Sequence, residues 1–253
     1  MLEARVSDSS TEYRRLHPRS EGFSEALLVD APVRLLAAHE HVFYEGDAQT
    51  HIYRVKSGMM RLYRLLADGR RQVIAFRLPG HLIGLGERDT QFCSAEALTE
   101  VVLQCVPLRI VYRRMQEEPR FGSELVRCLA DELAESRNQV AFLNRRSALE
   151  KLATFILRFL TWTGEDKELK LELHMGREDI ADYLGVTVET VSRSFAKLKA
   201  QSVVSLAQTQ TIIIHDIGRL IALAAGTFDD GDSDSSSRTT PSRTTVGTSS
   251  TSR

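Results

Sequence analysis

The stretch from Met175 to Val204, MGREDIADYLGVTVETVSRSFAKLKAQSVV, constrains this chain more than any other. Between Arg177 and Leu184, apolar Ile180, Ala181 and Leu184 recur at helical spacing, the pattern of a short helix with one buried face. Gly185 stops that helix. Thr187 then stands where its hydroxyl accepts an amide hydrogen from the first turn of the next one. From Val188 onward the helical period separates inward Val191, Phe195 and Leu198 from outward Glu189, Ser192, Arg193 and Lys197. Two helices joined by a tight turn make a helix-turn-helix, and the outward face of the second offers what the DNA major groove requires. A guanidinium pairs with guanine O6 and N7, and a carboxylate accepts from cytosine N4. Base contacts are therefore expected from Glu189, Ser192 and Arg193, and backbone contacts from Arg177, Thr187, Thr190, Lys197 and Lys199. An ordinary amphipathic surface helix would require neither the turn nor the cap. Directly afterwards, Val203–Leu206 and Thr211–His215 flank a polar turn, a hairpin signal that reads as a wing.

Upstream, Gly46, Gly58, Gly69 and Gly80 are spaced 12, 11 and 11 residues apart (58 − 46, 69 − 58, 80 − 69). Each lies in turn chemistry, such as Glu45-Gly46-Asp47 and Leu78-Pro79-Gly80. Strand-like runs lie among and beyond them: Ile52–Val55, Met60–Leu66, Gln72–Phe76 and Val101–Leu108. Short strands at this cadence predict an antiparallel β-roll or jelly roll; a glycine-marked solenoid would need more copies. From Phe121 to Arg146 a long helix is expected, with Val126, Leu129, Leu133, Ser136, Val140 and Leu143 on consecutive a and d heptad positions. So narrow a seam calls for a partner helix rather than a broad core face, which predicts a homodimer joined along those six residues.

A chain of 253 residues accommodates two domains. Its net charge of −1 implies no general polyanion affinity, so any electrostatic footprint on DNA must be local, on Arg177, Arg193, Lys197 and Lys199. The sequence shows no secretory leader and no apolar run long enough for a bilayer, so a cytoplasmic protein without membrane contact is expected. Cys93, Cys105 and Cys128 match no zinc spacing. Cys105 alternates with Val101 and Leu103 as a small core residue, while Cys93, in a loop, is the candidate for a redox-sensitive thiol. His39, His41 and Glu45 have the H-x-H-x₃-E spacing of a cupin metal site. A metalloenzyme reading lacks a third histidine on a later strand and leaves the recognition helix unexplained, so neither a metal nor an enzyme is expected.

At Glu189-Thr190-Val191-Ser192-Arg193 the chain resembles the CRP/FNR family of bacterial transcription regulators, whose recognition helix opens on an E-T-V-x-R core. The resemblance extends over about residues 25 to 226. Val188 and Ser192 give the FNR-type pattern, where the cAMP-receptor type has Arg and Gly. The fold implied is α+β. It comprises a flexible segment 1–24, a cyclic-nucleotide-binding-like antiparallel β-roll 25–120 and a dimerisation helix 121–146. A winged helix-turn-helix over 147–226 and a disordered Ser/Thr-rich tail over 227–253 complete it. The family's cAMP pocket uses a Gly-Glu-Leu turn and an Arg-Ser pair; here Gly84-Leu85-Gly86 and Cys93-Ser94 stand there, so no cAMP is expected. Three cysteines, none near the N-terminus, do not supply the four thiolates of an FNR-type cluster, and no cofactor is expected. Together with Asp179–Gly185, the pattern is closest to the FixK-like subgroup. The resemblance implies an activator of genes for low-oxygen respiration or nitrogen metabolism, acting on double-stranded DNA and RNA polymerase at near-palindromes of the form TTGAT-N₄-ATCAA. The alternative within the family is a regulator gated by haem, nitric oxide or another small molecule.

Overall fold

The computed structural model describes residues 28, 30–85, 89–143, 147–163, 169–207 and 210–227. The segment 1–24 and the tail beyond 227 lie outside the described residues, as does Gly86.

Eight strands build the N-terminal half: β1 Val33–Leu36, β2 His41–Phe43, β3 His51–Ser57, β4 Met60–Leu65, β5 Arg71–Arg77, β6 Leu82–Ile83, β7 Ser94–Ala97 and β8 Val101–Pro107. They form two four-stranded antiparallel sheets, ordered β1-β8-β3-β6 and β2-β7-β4-β5. Leu36, Phe43, Val55, Met60, Leu62, Ile83, Val101 and Leu103 fill the space between them. This is the β-roll that the glycine cadence predicts, and all four glycines have positive φ. Gly58 shows the necessity best: its φ is +83°, and a Cβ there would lie 2.2 Å from the Glu100 carbonyl oxygen.

Three helices connect the halves: α1 Leu108–Glu117, α2 Pro119–Leu143 and α3 Ala148–Thr163. The long predicted helix is α2, and it opens on Pro119, whose fixed φ suits a first helical position. One face of α2 is closed by the β-roll: Phe121 and Leu125 join Leu28, Ile52, Leu82, Val106 and Val111 in a small core, with Cys128 against it. The heptad face is bare. Val126 is 60% exposed, Leu129 43%, Leu133 51% and Val140 63%, and Ser136 is exposed between them. The side chain of Leu143 lies outside the described residues. The seam residues therefore do not spend their apolar surface on their own β-roll.

The C-terminal half comprises β9 Lys170–Glu172, α4 Arg177–Leu184, α5 Val188–Ala200, β10 Val204–Ala207, β11 Thr211–Ile214 and α6 Ile217–Ala224. The hairpin β10-β11 gains β9 as a third antiparallel strand. Here the helix-turn-helix and wing stand where the sequence places them. The main core does not stop at this domain: Phe155, Phe159 and Tyr183 pack with Met59, Val73, Phe76 and Leu78 of the β-roll. Phe76 sits 5.3 Å from the Phe159 ring and 5.2 Å from that of Tyr183, centroid to centroid, within aromatic packing range.

Candidate nucleic-acid interface

The turn between α4 and α5 has the geometry that its residues dictate. Gly185 closes α4 in the left-handed region, at φ 65° and ψ 41°. Thr187 then adopts extended backbone, and its Oγ1 accepts the Thr190 amide hydrogen at 3.3 Å, the expected N-cap. Val191, Phe195 and Leu198 are buried, joined by Ser194, whose hydroxyl donates to the Thr190 carbonyl at 2.9 Å. Buried inward residues leave Glu189, Ser192, Arg193, Lys197 and Lys199 exposed. The helical period puts Glu189, Ser192 and Arg193 along the middle of that face and the two lysines at its opposite edges. A helix laid in the major groove would thus present reading groups to base edges and an ammonium towards the phosphates on either side.

Arg193 is held rather than loose. Its Nη2 donates to Thr190 Oγ1 at 3.3 Å, and that oxygen lies 3.1 Å from Thr187 Oγ1. Glu189 is kept anionic: its own backbone amide, then the Thr187 hydroxyl and the Arg193 charge, hold its carboxyl below the usual range. It therefore offers acceptor oxygens at neutral pH. Arg177, at the start of α4, is placed differently. Its guanidinium lies 3.4 Å from the centroid of the Phe195 ring, a cation–π stack. Burial lowers its pKa, and its buried Nη1 has no hydrogen-bond partner among the described residues. A stack on the recognition helix orients that arginine at the edge of the motif.

The other singled-out residues lie in the β-roll. Cys93 is partly buried against its core, and burial pushes its thiol up to about 11, so it is overwhelmingly protonated at neutral pH. His39 and His41 both approach Glu96, at 3.2 and 3.4 Å, whereas Glu45 is taken by Arg64. The three members of the cupin-like spacing therefore do not converge, and no group able to hold a metal occurs among the described residues. His39 and His41 lie beside Glu96 of β7, whereas Glu45, past the end of β2, pairs with Arg64 of β4, a distinction that linear spacing cannot show.

The residues at the position of the family's phosphate-binding pair are already engaged within the β-roll. Ser94 Oγ is already engaged by the Glu45 amide at 3.0 Å. The arginines whose charges act on Cys93, Arg77 and Arg64, are paired with Glu132 and Glu45. A cyclic phosphate would meet a neutral thiol and guanidiniums already committed, an expensive burial.

Comparison with known proteins agrees with this geometry. Residues 150–223 match the Crp-like helix-turn-helix domain, and residues 33–118 match the cyclic nucleotide-binding domain. The nitrogen fixation regulation protein FixK of Rhizobium meliloti is 38% identical over 184 residues, covering 72% of this chain and 83% of that protein. Its counterpart in Bradyrhizobium diazoefficiens is 39% identical over 190 residues, 74% and 79% of the two chains. The solved structure of FixK2 from Bradyrhizobium japonicum superposes with a TM-score of 0.70 at 31% identity, over 76% of this chain and 96% of that one. The chain belongs to the CRP/FNR family of DNA-binding transcription regulators. Within that family it is FixK-like, and it is a regulator rather than an enzyme. That overturns the metalloenzyme reading of His39, His41 and Glu45, and favours the main reading over the effector-gated one. Among the described residues no helix is long and apolar enough to cross a membrane.

Sequence reasoning missed the residues behind the motif. Asp179 and Asp182 of α4 are gripped by Arg61 and Arg71 of the β-roll. Charges so far apart in sequence carry no periodic signal, and only the folded chain brings them together.

Proposed function

We propose that the protein is a cytoplasmic homodimeric activator that reads FNR-type palindromes, TTGAT-N₄-ATCAA, and engages RNA polymerase there. Its targets are genes of low-oxygen respiration or nitrogen metabolism, in line with the nitrogen fixation regulators to which it is similar. The observation that carries this reading is the exposed row Glu189, Ser192 and Arg193 on a helix whose other face is buried. Arg193 takes the guanine of each TTGAT half at O6 and N7. Glu189 accepts from the cytosine amine paired with it, and Ser192 touches a thymine. Arg177, Thr187, Thr190, Lys197 and Lys199 line the backbone. The bare face of Val126, Leu129, Leu133, Ser136 and Val140 supports pairing of two α2 helices, continued by Leu143, and a two-fold dimer sets two recognition helices about one DNA turn apart. No cyclic nucleotide is required.

Binding to TTGAT and TGTGA palindromes at fixed salt tests this. The wild type should prefer TTGAT, and Val188→Arg, which restores the arginine of the cAMP-receptor type, should move the preference towards TGTGA. A wild type that prefers TGTGA would defeat the assignment.

A further inference from the structure

The DNA-reading half is seated on the β-roll through a lattice of buried charges. Arg61 on β4 donates to its cross-strand neighbour Glu96 on β7, at 3.2 Å from Nε and 2.7 Å from Nη2, and through Nη1 to Asp179 of α4. Arg71 at the start of β5 donates from Nη2 to the same Asp179 oxygen at 2.8 Å and from Nε to Asp182 at 2.7 Å. Exposure of these side chains is low: 7% for Glu96, 9% for Asp179, 12% for Arg61 and 24% for Arg71. Asp179 and Asp182 are three residues apart, so they share one face of α4. The apolar residues of that helix, Ile180, Ala181, Tyr183 and Leu184, are buried in the core shared with α5.

The lattice adds something that the shared aromatic core cannot. Apolar burial is non-directional, so Phe76, Phe155, Phe159 and Tyr183 constrain the angle of the halves less strictly than paired charges do. Charge-assisted bonds from a planar guanidinium are directional. Burial makes any arrangement that separates these partners costly. Arg77 of β5 holds Glu132 of α2 from the β-roll side. Arg158 of α3 holds Glu135 at 3.0 Å, while Gln139 donates to the Tyr183 carbonyl at 3.4 Å. The helix that carries the bare seam, the β-roll and α4 are thus linked by oriented polar contacts, and the recognition face of α5 is left open.

We infer that Arg61 and Arg71 of the β-roll are positioning residues for DNA recognition: acting through Asp179 and Asp182, they fix the angle of the DNA-reading half and thereby the half-site spacing that the dimer accepts. The inference rests on the two-fold palindrome reading above. In a dimer paired through α2, the distance between recognition helices depends on how each is seated on its own body. A loosened seat should leave base readout intact and widen the range of tolerated spacings.

The test uses the full chain, with palindromes whose spacer is shortened or lengthened by one and two base pairs, and with an isolated half-site. Wild type should favour one spacing by about tenfold, within the range typical of coupling between parts of a protein. Arg71→Ala and Asp182→Asn should reduce that preference to about threefold or less while half-site guanine preference is unchanged. Arg71→Lys should restore part of the spacing preference. A merely structural defect would lower binding at every spacing alike and leave the ratio untouched. Asp182→Asn, at a partly exposed position, carries the comparison should Arg71→Ala fail to fold. Variants that retain the wild-type spacing ratio, or that bind the preferred spacing more tightly than wild type, overturn the inference. A wild type without half-site base preference defeats the palindrome reading instead.

Discussion

Replacing Leu133 with glutamate should split the protein into monomers, and the size of the effect follows from the exposed face of α2. Val126, Leu129, Leu133 and Val140 are 60%, 43%, 51% and 63% exposed, so about half of each side chain is still available for burial. Covering a whole side chain of this kind is worth about 1.5–3 kcal/mol, which leaves about 1 kcal/mol for each half. Each position occurs twice across the two-fold axis, so one substitution acts on both helices. Leu133→Ala removes its share from both helices, about 2 kcal/mol, or about thirtyfold in dissociation constant. In a parallel seam each a position, such as Leu133, meets its own copy. Leu133→Glu therefore also sets two carboxylates against each other in an apolar layer, raising the loss beyond about 4 kcal/mol, a thousandfold or more. Sedimentation at micromolar concentration should show wild-type dimer and Leu133→Glu monomer, with Val140→Glu alike and Leu133→Ala between. An intact dimer in both glutamate variants would refute the seam.

Cyclic AMP at millimolar concentration should not raise the melting temperature, because a ligand of the native state must stabilise it by mass action; a clear rise would contradict the reading of Cys93-Ser94. Cys93, whose thiol is pushed up to about 11 by burial, should be alkylated at pH 8 far more slowly than a free thiol, since only about one molecule in a thousand carries the thiolate. Mass spectrometry that finds Cys93 modified as fast as glutathione would show the burial to be wrong. Thr187→Ala removes the cap of the recognition helix and should lower stability by about 1 kcal/mol in urea denaturation, with a larger loss of specific DNA affinity because Thr187 also braces Thr190 and Glu189.

Much of this molecule is legible in its residues because its motifs are local. Gly185, Thr187 and the spacing of Val191, Phe195 and Leu198 specify a turn, a cap and a buried face within a few residues of one another. Four turn glycines likewise mark the β-roll. The strands missed are those without a period. β2 has three residues and β6 two. In β7, Ser94-Ala95-Glu96-Ala97 is buried throughout yet lacks a single strong strand former. Helix α3 buries Leu149 and Leu152 through Leu160, and Glu150, Lys151, Thr154, Arg158 and Thr161 recur along one side at helical spacing, a stripe open to the sequence. The edge strand β9 stands only because β11 accepts it. Least legible is the polar seat of Arg61 and Arg71 on Asp179 and Asp182, whose partners are more than a hundred residues apart.

Whether Arg193 reads the guanine of each half-site is decided by a double-mutant cycle between protein and DNA. Wild type and Arg193→Ala are titrated at one salt concentration against TTGAT-N₄-ATCAA and against the same site with that guanine replaced by adenine in both halves. A bidentate pair is worth about 1–3 kcal/mol, so wild type should lose roughly 2–6 kcal/mol across the symmetric site. Arg193→Ala should bind both sites alike, at about the affinity of wild type for the altered one. Full discrimination retained by Arg193→Ala would mean that another residue reads the guanine, and the recognition-helix assignment would fall.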